Sequence, residues 1–185
     1  MLSRPTLSTA VPSVLRLLPR ALLIASGLTA LVMFPLLRHG LPPLPAFNPH
    51  APNLAPIAAA PLVVKLHLTA IAGAIGVAAI LFSGVKGSLL HRALGWSWVG
   101  FMLATAVSAL FIRPPPGMPS FAGFTFLHLF SVLTLVQAPL AVLAARRHEV
   151  KKHASLMTGL AVGGLGIAGL LAFVPGRLMW QVWFG

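Results

Sequence analysis

Four apolar runs, Leu62–Ser83, Leu89–Ile112, Phe121–Ala145 and His153–Val174, follow one another with only short connections. Each is about 20 residues long, enough for a helix to cross a hydrocarbon core of about 30 Å. Inside such a core every backbone N–H and C=O must be satisfied within the segment, so the runs are expected to be α-helices. Short connections make successive helices antiparallel neighbours. The expected fold class is therefore all-α, a polytopic transmembrane helix bundle with a four-helix core. A further uncharged run of 17 residues, Ala21–Leu37, supplies an N-terminal span or signal anchor and brings the expected number of transmembrane helices to five.

The third of the four runs sets the orientation. It opens on FAGFTFLHLF and closes on a basic cluster of Arg146, Arg147, Lys151 and Lys152. Taken over the whole chain, one side of the membrane receives Arg4, Arg16, Arg20, Lys86, Arg92 and that cluster. The other receives Arg38, Lys65, Arg113 and Arg177. The positive-inside rule then places the N-terminus in the cytoplasm and the C-terminus outside, with a bacterial inner membrane as the expected location. The domain reading is a basic lead-in over 1–20, the first span over 21–37, a Pro-rich external loop over 38–61, the four-span core over 62–177 and an aromatic interfacial tail over 178–185. The loop holds seven prolines in 24 residues, which argues against helix there. The tryptophans Trp96, Trp98, Trp180 and Trp183 suit the membrane interface.

Composition narrows the chemistry. Glu149 is the only carboxylate side chain, and there is no cysteine. That removes paired carboxylates for acid–base work, oxygen cages for calcium or magnesium, and thiolate sites for zinc or iron–sulfur clusters. The net charge of +12 reflects missing acids rather than abundant bases, and it points to topology and anionic lipid, with no nucleic-acid partner. Site chemistry is left to seven histidines, six methionines and a few hydroxyls and amides.

Four of the histidines fall in a pattern. His67 and His128 stand about equally far inside the second and fourth of the five spans, from the outer end. His91 and His153 stand in the first turns of the third and fifth, from the cytoplasmic end. Ionisable groups inside a span are costly and are candidates for function. Facing imidazoles across a bundle can hold a b-type haem iron. The expectation is thus an outer pair, His67 and His128, and an inner pair, His91 and His153, as cofactor-binding residues and haem-iron ligands. Ala70, Ala74 and Ala78 on the side of His67 would leave room for a flat macrocycle. A structural role, in which each ring hydrogen-bonds a backbone carbonyl or a neighbouring helix, meets the same placement. His39, His50 and His148 fall in loops. Met157, one turn after His153, is either a soft copper ligand or core. Gly159 and Gly163 form a small-xxx-small pair that suits close helix contact.

The stretches LLHRALGWSWVGFMLATAVSALFI, FTFLHLFSVLTLVQAPLAVLAARRHEVKKHASLMTGL and GGLGIAGLLAFVPGR resemble the domain-of-unknown-function 2306 family of bacterial integral membrane proteins. The matching pieces are His91-Arg92 with Gly95-Trp96, His128-Leu129, His153 with Met157, and Pro175-Gly176-Arg177. The resemblance implies a four-span core with a variable N-terminal span, and no established activity. Many members carry Arg after the fifth-span histidine, where this chain has Ala154. The topology and histidine placement are also similar to the di-haem b-type cytochromes, by analogy alone. Two functions follow as expectations. One is a haem b electron carrier working between a quinone or redox partner protein and an acceptor, with no autonomous enzyme activity beyond membrane electron transfer. The other is a non-catalytic accessory or scaffold subunit that binds membrane lipid or a partner complex, alone or as a homo-oligomer.

Overall fold

The computed structural model describes residues 47–114 and 120–185. The expected first span and basic lead-in lie outside the described residues. Among the described residues the fold is all-helical, and four helices are long and apolar enough to cross a membrane. The elements are α1 (Ala55–Ala59), α2 (Leu62–Ser83), α3 (Leu89–Phe111), α4 (Leu127–Arg146), α5 (Val150–Leu160), a π-helical segment (Ala161–Ile167), α6 (Ala168–Leu171) and α7 (Leu178–Trp183). α5, the π segment and α6 run on as one span, Val150–Leu171. Each span packs against the next in sequence, and the π segment returns to touch α2 and α4.

The connections explain the boundaries. Lys86 lays its ammonium on the carbonyls of Leu81 and Phe82 at the end of α2, a cationic cap on orphan acceptors. Ser88 then caps α3, its Oγ accepting from the His91 N–H at 3.1 Å. α4 ends in a left-handed turn at His148, with φ of 59°. There His148 N–H donates to Ala145 O and Glu149 N–H to Ala144 O, the Schellman arrangement that satisfies the last carbonyls. That turn reverses the chain within three residues into α5.

The fourth apolar run departs from its expected limits. The helix begins at Leu127, not at Phe121. Phe121 and Phe124 exchange both backbone hydrogen bonds at 2.8 Å around Ala122 and Gly123, whose φ values are 50° and 78°. Two successive positive φ angles make a tight reversal, so these apolar residues form a turn ahead of the helix. The Pro-rich loop departs as well: Ala55–Ala59 is one helical turn, with Pro56 in its first turn where no N–H is needed.

Bundle packing rests on small residues. Ala70, Ala74 and Ala78 are the buried face of α2, and Ser131, Thr134, Ala138, Ala141 and Ala144 that of α4. Between lipid-solvated helices there is little hydrophobic drive, and such faces let backbones approach closely. α3 supplies the bulk: Trp98 and Met102 fill the centre, at 3% and 1% exposure. Trp98 is therefore core, not interface as the sequence suggests, whereas Trp96 is 60% exposed. Glycine in the π segment serves the same approach. A Cβ on Gly164 would stand 3.0 Å from Met102 Cε and 3.5 Å from Thr134 Oγ1.

At the end of the bundle away from Lys86 and Arg146, residues 47–53 lie across α7. Asn53 N–H donates to Val182 O at 2.8 Å and His50 N–H to Trp183 O at 3.2 Å. Phe47 packs on Trp180 and Phe184, with ring centroids 6.1 and 4.8 Å away. The aromatic tail is a short helix held by the loop that precedes the core.

Candidate functional site: the span histidines

His67 stands in the second turn of α2, and its Nδ1 lies 3.0 Å from both Thr105 O and Ser108 Oγ of α3. A carbonyl only accepts, so Nδ1 carries the ring proton and Nε2 the free lone pair. Ser108 Oγ itself donates back to Ala104 O at 2.7 Å. The ring is a tie between α2 and α3.

His153 repeats the device at the other end. Its Nδ1 lies 2.9 Å from Ala141 O of α4, so Nδ1–H donates there and this ring ties α5 to α4. His91 is the third residue of α3 and stands, like His153 near the start of α5, at the basic end of the bundle. His91 Nδ1 is buried and without a partner among the described residues. His91 also lines, with Leu81, Ser88 and Leu94, a cavity of about 30 Å3, the volume of about one water molecule.

His128 is different. It is the second residue of α4, and the N–H of Thr125 donates to its Nδ1 at 2.9 Å, with Thr125 Oγ1 at 3.2 Å. The backbone N–H only donates and is the shorter contact, so Nδ1 accepts and Nε2 carries the proton; the Thr125 carbonyl stands further off, at 3.2 Å. That Nε2 is buried without a partner among the described residues. The ring meets Phe124 edge-on at 5.0 Å, and the Arg113 guanidinium lies over the other aromatic at 4.8 Å from the Phe124 centroid.

The rings differ in which nitrogen each leaves free. Iron needs an unprotonated ring nitrogen from each side, and His128 as held by Thr125 offers a donor instead. His67 is the sixth residue of its helix and His128 the second, because α4 starts later than its apolar run. Ala74 and Ala78 share a buried cluster with Trp98 and Met102, so that part of the small face of α2 is filled by α3. The inner cavity is an order of magnitude below the ~300 Å3 of the smallest ligand pockets. Met157 packs against the core cluster. Among the described residues no group of three or more His, Cys, Asp or Glu could hold a metal ion.

Two features escaped the sequence reading. Thr105, Ser108 and Ala141 O partner the histidines, yet backbone acceptors on another helix leave no sequence signal. A groove of about 400 Å3 runs between α3 and α4 from Trp96 and Arg146 past Pro139, and no histidine lines it.

Neither the curated proteins nor the solved structures gave a match to this sequence. A family model described as "Predicted membrane protein (DUF2306)" matches residues 63–168, more than half of the chain and nearly all of the four spans just described. The chain belongs to the DUF2306 family of predicted membrane proteins.

Proposed function

We propose that the protein is a non-catalytic multi-pass component of the bacterial inner membrane, an accessory or scaffold subunit that binds lipid or a partner complex. One observation carries the reading: the His67 and His153 rings are each spent on a carbonyl of the adjacent helix, at 3.0 and 2.9 Å. Histidines used as ties serve a rigid bundle, and the close-packed interior supports the same role. The basic end, with Lys86, Arg92 and Arg146 to Lys152, faces the cytoplasm on the positive-inside rule, and α7 lies outside. Affinity purification in mild detergent tests the proposal. It expects a partner at fixed stoichiometry that is retained when His67 and His128 are both replaced. Loss of the partner on that replacement counts against it.

A second reading keeps one supporting observation. His67 and His153 hold the tautomer of a metal ligand, with Nδ1–H donated to a carbonyl and Nε2 left over. A haem b electron carrier on His67, His128, His91 and His153 needs the bundle to open and the His128 ring to exchange its proton. Oxidised and dithionite-reduced absorbance spectra of the detergent-purified protein separate the two readings. A Soret band that shifts on reduction and vanishes when His128 and His153 are both replaced by Leu favours the carrier; a featureless spectrum from haem-replete cells favours the scaffold.

A further inference from the structure

The sequence contains one acidic side chain, Glu149. That carboxylate lies 3.2 Å from the Lys152 ammonium. Arg146, exposed at the end of α4, makes no ion pair among the described residues, so its guanidinium is free to meet an anion. Arg146 also stands at the mouth of the groove between α3 and α4. Behind it the walls are apolar: Val99 and Leu103 from α3, Val142 and Leu143 from α4. Pro139 forms part of the floor; it has no N–H, and its ring displaces the carbonyl one turn back, which opens a helix locally. Trp96, 60% exposed, stands on the opposite lip.

Depth identifies the occupant. The lining runs from Arg146, the last residue of α4, back to Pro139, and on α3 from Trp96 to Leu103, seven residues on each helix or about 10 Å at 1.5 Å per residue. The groove thus runs from the charged rim into the hydrocarbon and ends within one leaflet. A charged mouth, an interfacial indole and an apolar trough in that order match a phospholipid: phosphate, glycerol level, acyl chain. We propose that this groove is a binding site for one anionic phospholipid of the leaflet at the basic end, with its phosphate on Arg146 and an acyl chain along Val99, Leu103 and Val142. The site rests on the lipid-binding part of the function proposed above and adds where, in which leaflet and with which headgroup charge.

The experiment is native mass spectrometry of the full-length protein from detergent, titrated with phosphatidylglycerol or phosphatidylcholine. Phosphatidylglycerol is expected to be retained preferentially as one molecule per chain. Arg146→Gln is expected to weaken it about five-fold, the value of one basic residue near an anionic surface. Val142→Trp, which fills the trough and leaves the charge, is expected to weaken it as well. Arg147→Gln is the control and leaves retention within two-fold. Glycerol 3-phosphate alone is expected not to compete. If Arg146→Gln and Arg147→Gln act equally, or Val142→Trp has no effect, or glycerol 3-phosphate competes fully, the groove assignment fails while lipid binding stands. If neither lipid is retained by the unaltered protein, the lipid part of the functional proposal fails with it.

Discussion

Replacing both His67 and His153 by leucine tests whether these rings are ties. Their acceptors, Thr105 O and Ala141 O, lie inside α3 (Leu89–Phe111) and α4 (Leu127–Arg146). Each carbonyl keeps its own helical donor, from Ala109 and Ala145 respectively, so the substitution leaves no buried acceptor unsatisfied. The cost is then only that of the interhelical bond. Side-chain hydrogen bonds between membrane helices are worth about 0.6 kcal/mol on average and about 1.7 at most. The two sites sit at opposite ends of the bundle, so their effects add. The double variant is expected to lose about 1–3 kcal/mol of unfolding free energy, with the single variants summing to it. Steric trapping in bicelles, or an SDS titration followed by tryptophan fluorescence, measures this directly. A loss above about 5 kcal/mol, or failure to recover folded protein, refutes the reasoning: two hydrogen bonds cannot supply it, whereas a bound metal centre can. No loss at all also refutes it, because the bonds would then be absent in the membrane.

Three further expectations follow. His148→Gly relieves a non-glycine residue at a φ of 59° in the α4–α5 turn and should raise stability by about 1 kcal/mol, read as a higher apparent Tm in detergent. Gly164→Val puts side-chain carbons where a Cβ alone already comes within 3.0 Å of Met102 Cε; overpacking by about 1–3 kcal/mol should lower the Tm. The His50 ring bonds the carbonyls of Ala51 and Gly185 through Nδ1 and Nε2, and these raise its pKa above the ordinary histidine value, the Ala51 bond foremost. Because the folded pKa is raised, its contribution to holding α7 is fully present below about pH 6.5 and is lost as pH rises through the folded value. Protection factors for hydrogen exchange at Trp183 and Phe184 should fall across that window, and this fall should vanish in His50→Gln.

Much of this architecture is readable from the chain alone. The limits of α2 and α3 are legible because Pro61, Gly84, Ser88 and Arg113 bracket uninterrupted apolar runs, and length fixes the rest. The start of α4 is not, because Phe121 to Phe126 are as apolar as the helix they precede. What stops helix there is the pair of positive φ angles at Ala122 and Gly123, and hydropathy carries no such information. The histidine positions are legible as positions. Their partners are not: an imidazole in lipid takes whatever acceptor the adjacent helix presents. For His67 that is decided by α2 lying against α3 through Ala70, Ala74 and Ala78. Trp98 shows the same limit. Its type favours the interface, but the small faces of α2 and α4 leave a central space that only a large side chain fills.

The π-helical segment from Ala161 to Ile167 has an evolutionary corollary. Such widened turns accommodate an extra residue in an otherwise regular helix. One codon could therefore be lost between Ala161 and Ile167 with the span still closing as an ordinary α-helix. Because the widened turns absorb the extra residue, the same loss would leave Ala168–Leu171 facing nearly the same way against Val150–Leu160. Length variants of this family that differ inside the spans are expected to differ here and to keep the same lipid-facing side beyond the segment.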